Sequence, residues 1–64
     1  MDLIEQVRNW GRALTVAELA ELMQISERSI QRYIAKKKLP AIRIGGLLRL
    51  NPESTANWLA ARQS

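Results

Sequence analysis

Cysteine and histidine are both absent from the 64-residue chain. Their absence excludes a disulfide framework, zinc or haem ligation, and thiol or imidazole catalysis. Carboxylates are few, six in all, and none lies in a glycine-rich or cleft-like setting. Neither an enzyme nor a metal or cofactor site is expected. No apolar run approaches the ~18 residues that a membrane-spanning helix needs, and the N-terminus lacks the pattern of a secretory signal. The chain reads as a soluble, cytoplasmic protein with room for one domain.

What charge there is sits unevenly. Residues 1–27 carry five acids (Asp2, Glu5, Glu18, Glu21, Glu27) against Arg8 and Arg12, a balance of −3. Residues 28–52 carry Arg28, Arg32, Lys36, Lys37, Lys38, Arg43 and Arg49 and no acid, a balance of +7. Glu53 and Arg62 cancel in the remainder. Seven positive charges within 25 residues form the electrostatic footprint of a polyanion binder. The alternative is a solvated basic face without a partner.

The helical signals are local and specific. Leu3, Ile4, Val7 and Trp10 recur at helical spacing over 2–10, with Asp2 as N-cap and Gly11 as stop. Thr15-Val16-Ala17-Glu18 is a capping box, followed by an apolar stripe of Val16, Leu19, Ala20 and Met23. Ser26 caps a further helix over 27–37, with Ile30, Tyr33 and Ile34 on one face and Arg28, Ser29, Arg32 and Lys36 on the other. Gln31 lies at the border. The short gap between these helices, pinned by Ile25, makes a helix-turn-helix. Asn51-Pro52 opens a last helix to Ala61, in which Trp58 reads as core.

Between these helices, β-branched alternation around Gly45-Gly46 marks a hairpin over 41–50. A two-residue loop would place Arg49 on the face of Ile42 and Ile44. A three-residue loop over 45–47 pairs 44 with 48, 43 with 49 and 42 with 50. Ile42, Ile44, Leu48 and Leu50 then all face the core, so burial predicts the second register. It also predicts Arg43 directly opposite Arg49, a repulsion that a phosphate would relieve, and Leu47 exposed at the tip.

The runs Leu14 to Leu22, Ile25-Ser26-Glu27-Arg28-Ser29-Ile30, Leu39-Pro40-Ala41-Ile42-Arg43-Ile44-Gly45-Gly46, Arg49-Leu50 and Trp58-Leu59 together resemble the excisionase family. These are small winged helix-turn-helix domains related to the DNA-binding part of MerR-type regulators. The likeness spans about residues 14–60. It implies a mainly α fold with a small β-hairpin, the second helix in the major groove of double-stranded DNA, and the hairpin as a wing along the backbone. By position, Arg28, Ser29 and Arg32 become base-reading candidates, and Lys36, Arg43 and Arg49 phosphate candidates. The family often closes the recognition helix with glycine. Here Lys37-Lys38 stands at that corner, which predicts a left-handed Lys38. Leu47 stands where the family often has a wing-tip Arg or Lys.

The chain thus divides into an N-terminal extension, 1–13, and a DNA-binding domain, 14–62. One such module discriminates poorly among genomic sites. Cooperative binding, self-association or DNA bending is expected, with an integrase or recombinase as a candidate partner and no membrane. Excision and transcription regulation are not separated by the sequence. The competing class is a protein-interaction adaptor or antirepressor on the same scaffold, using the first helix, Trp10 and Leu47.

Overall fold

The computed structural model describes residues 2–63 and contains four helices and one hairpin. In chain order these are α1 (Leu3–Arg8), α2 (Val16–Met23), α3 (Glu27–Ala35), β1 (Ile42–Ile44), β2 (Leu47–Arg49) and α4 (Pro52–Gln63). The fold is mainly helical with a two-stranded antiparallel sheet, as expected. No described helix is long and apolar enough to cross a membrane.

Each helix begins where a side chain satisfies an otherwise orphaned backbone donor. The Asp2 carboxylate accepts the Glu5 N–H at 2.9 Å, starting α1. At α2 the Thr15 hydroxyl accepts the Glu18 N–H at 3.0 Å, and the Thr15 N–H donates to Glu18 at 2.9 Å. Ser26 starts α3 by accepting the Ser29 N–H at 3.1 Å. Asn51 starts α4 by accepting the Ser54 N–H at 2.9 Å, with Pro52 at the first helical position.

The core gathers Val7, Leu14, Val16, Leu19, Ala20, Ile30, Leu39, Leu50, Ala56 and Leu59, so every helix contributes. α1 ends at Arg8, two residues short of the expected end, because Asn9 already closes it and Gly11 turns away at φ +89°. It packs on α4 and buries Val7 completely, so the extension docks on the core; residue 1 of it lies outside the described residues. Trp58 is half-buried against that core and meets Tyr33 edge-on at 5.3 Å. The Arg62 guanidinium covers both rings, tying α3 to α4.

The hairpin departs from the expected register. Ile42 pairs with Arg49, Arg43 with Leu48 and Ile44 with Leu47, leaving only Gly45 and Gly46 in the loop. Both glycines have positive φ, +55° and +84°, the signature of a two-residue turn whose twist matches the strands. Turn geometry overrides burial here because a three-residue strand pair has little core to gain. Leu48 and Leu50 do turn toward the core, but Ile42 and Ile44 are 52% and 59% exposed. Arg43 shares a face with Leu48, whereas Arg49 shares one with Ile42 and Ile44; the two arginines are not opposed. Leu47 is exposed, as expected, although as a strand residue.

Leu14 and Leu50 exchange two backbone hydrogen bonds of 2.9 Å, an isolated bridge flanking the hairpin. Just beyond it, Arg12 forks onto the Glu18 carboxylate, the same group that completes the α2 cap. Arg12 first, then the Thr15 N–H, holds the Glu18 pKa at about 2, below its ordinary 4.5. A depressed carboxylate contributes stability that is full above its unfolded value and disappears as pH falls through its folded value. The melting temperature should therefore fall between pH 4.5 and about 2, and Glu18→Gln should flatten that fall. Parallel pH profiles in thermal melts would contradict this coupling.

Candidate nucleic-acid interface

Two tight helix ends set the angle and reach of α3. At its approach, Gln24 takes the left-handed region (φ +58°, ψ +42°) while the Ile25 N–H donates to the Ala20 carbonyl at 3.0 Å. The Gln24 N–H turns to Glu21 at 3.2 Å, completing a Schellman end. The far end of α3 repeats this pattern. The Lys38 N–H donates to Tyr33 and the Lys37 N–H to Ile34, both at 2.9 Å, with Lys37 at φ +58°. The left-handed residue is thus Lys37, one position before the expected Lys38. α3 stops at Ala35, and 36–38 form the corner instead of the helix end expected at 37.

Ile30 is fully buried, with Tyr33 and Ile34 half-buried, so the helical repeat turns Arg28, Gln31, Arg32 and Lys36 outward. Arg28 and Arg32 stand one turn apart on α3, with Lys36 one turn further at its C-cap, each step about 6 Å along the axis. Ser29 is set differently. It is half-buried, and its hydroxyl lies 3.0 Å from that of the cap residue Ser26. It closes the helix start as well as bordering the exposed face.

The arginines fall into two populations. Arg8 donates to Asn57 (3.2 Å), Arg12 is paired with Glu18, Arg49 donates to the Leu48 carbonyl (2.8 Å), and Arg62 reaches the Tyr33 hydroxyl (3.4 Å). Arg28, Arg32 and Arg43, with Lys36, Lys37 and Lys38, are exposed and make no side-chain hydrogen bond or ion pair with a described residue. Among the described residues every uncommitted cation therefore lies between 28 and 43. Of the six site residues expected from sequence, Arg28, Arg32, Lys36 and Arg43 belong to this set. Arg49 lies across the hairpin, beside Arg8 and Arg12.

Residues 13–63 match the helix-turn-helix domain family. The chain belongs to that family. It is a non-enzymatic family, in line with the sequence reading, and the resemblance noted for 14–60 falls inside the matched span. Two curated proteins of Mycobacterium tuberculosis, from strains CDC 1551 / Oshkosh and H37Rv, are each 37% identical over 46 residues. Both are named "Putative DNA-binding protein". The aligned part covers 72% of this chain but 59% of each relative, so the chain spans little more than half their length. No solved structure matches.

A β-carbon in the left-handed region costs about 1–2 kcal/mol, which glycine avoids at the expense of a more flexible unfolded chain. Lys37→Gly should therefore raise stability by about 1 kcal/mol. Urea unfolding measures this directly, and an unchanged or lower midpoint would contradict the assigned helix end.

Proposed function

We propose that this protein binds double-stranded DNA with sequence preference, laying α3 in the major groove and its hairpin along the adjoining backbone. The observation that carries this reading is the segregation of uncommitted cations onto α3, its closing corner and Arg43. A surface meant only for solubility has no need to leave these six free while pairing the rest. Membership of the helix-turn-helix family, and the DNA-binding name of the two mycobacterial relatives, support the same ligand.

In this reading Arg28 and Arg32 address base edges, where guanidinium forks match the O6 and N7 acceptors of guanine. Gln31, exposed between them, adds a group suited to adenine. Ser29 borders the contact through its cap. Lys36, Lys37, Lys38 and Arg43 meet phosphates and fix orientation. Arg49, tied to Leu48 on the other hairpin face, falls outside this contact set. A nine-residue α3 is about 13 Å long and spans about four base pairs. So short a readout discriminates poorly among genomic sites. The protein therefore acts in cooperating copies on repeated sites, as an excisionase-like factor beside an integrase or as a transcription regulator, in the cytoplasm.

The exposed face of Ile42, Ile44 and Leu47 favours a second reading, a protein-interaction adaptor or antirepressor. Salt separates the two. Four phosphate contacts give a slope of log K against log salt near −4, whereas an apolar adaptor surface responds weakly. In gel-shift titrations Arg32→Ala should relax sequence preference. Arg43→Ala should weaken all sequences alike and reduce the slope by about one. Indistinguishable variants would remove the division between reading and anchoring, and no duplex binding at low salt would select the adaptor.

A further inference from the structure

Two surface grooves adjoin each other, and neither includes a residue of α3. The first, about 410 Å³, runs between residues 8–13, the hairpin and the start of α4. Arg8, Arg12 and Arg49 line it, against Glu53 alone, and Ile42 and Ile44 form its apolar wall. Leu47, paired with Ile44 and 57% exposed, extends that wall to the hairpin tip. The second groove, about 470 Å³, is lined by Trp10, Leu22, Glu18 and Glu21. One is basic and apolar, the other acidic and apolar. They meet at the Arg12–Glu18 pair, whose cation lines the first groove and whose carboxylate lines the second.

We propose that two copies of this chain associate through these grooves as a closed, two-fold symmetric dimer. Complementary halves that adjoin on one surface are what a two-fold axis requires. Rotation about an axis near the Arg12–Glu18 pair lays each basic groove over the partner's acidic one, and the contact occurs twice. The apolar wall of Ile42, Ile44 and Leu47 then meets Trp10 and Leu22, which removes the largest exposed hydrophobics from water. Charge complementarity selects the occupant: outside the Arg12–Glu18 pair, Glu21 of the second groove supplies the carboxylate that Arg8 and Arg49 of the first, beside Glu53 alone, call for. Both copies keep α3 clear of the contact. The surface specifies the self-association in the DNA reading above, but the test contains no DNA, so either reading can fail alone.

The test is sedimentation equilibrium of the full chain and of Arg8→Glu and Glu21→Arg, two exposed positions outside the DNA contact set. The native chain should dimerise. Each reversal sets like charges against each other at both contacts and should weaken self-association by about tenfold or more. An equimolar mixture should recover a one-to-one heterodimer, because both contacts again pair opposite signs. Recovery on mixing also shows that the variants are folded. Ile44→Ser, exposed and therefore neutral for folding, should dissociate the dimer without altering charge. A native chain monomeric to roughly 1 mM, variants that dimerise as the native chain does, a mixture that stays monomeric, or assemblies growing beyond two would each overturn the proposal.

Discussion

The pair of backbone hydrogen bonds between Leu14 and Leu50 is the constraint from which the arrangement follows. It joins residues far apart in sequence, and both side chains are completely buried. The residue after each is a helix cap: Thr15 starts α2 and Asn51 starts α4. One bridge therefore fixes where two helices depart from the core. Burial of Leu50 also sets the parity of β2, turning Leu48 inward and Leu47 and Arg49 outward. The Gly45-Gly46 turn passes that parity to β1, so Ile42 and Ile44 follow Arg49 outward while Arg43 joins the face of Leu48.

The separation of the two hairpin arginines bears directly on function. A cation already satisfied by its own chain gives up that partner, and the geometry that held it, when it binds a phosphate. An uncommitted one releases only counterions, which is the favourable term in nucleic-acid association. Arg8, Arg12, Arg49 and Arg62 are used to hold the molecule together. Arg28, Arg32, Arg43 and the lysines of the corner are not. The mild excess of +4 in the composition thus resolves into a structural set and a set available to a ligand.

Local chemistry was legible in the sequence. The Thr15–Glu18 box, the Ser26 cap and Asn51-Pro52 depend on side chains three residues or fewer away, and each appears where the spacing places it. The outward face of α3 follows from a 3.6-residue repeat, so Arg28, Arg32 and Lys36 were found the same way. What escaped was decided by backbone geometry or by distant partners. Two adjacent glycines allow two loop lengths, and hydrophobic pattern favoured the one that the short strands do not adopt. A left-handed Gln24 has no marker when glycine is missing from the helix end, and at the Lys37-Lys38 corner the expected residue fell one position late. The Leu14–Leu50 bridge, and the gathering of Arg8, Arg12 and Arg49 around one groove, involve residues that no local pattern connects.

In the proposed DNA complex, uncommitted cations, and not basic residues in general, form the contact surface. A heteronuclear chemical-shift titration of the labelled chain with a short duplex tests this residue by residue. The largest shifts should appear at Arg28, Gln31, Arg32, Lys36 and Arg43, with Arg8, Arg12 and Arg49 unmoved at the same duplex ratio. Largest shifts along 8–13 and at Arg49, with α3 silent, would contradict it.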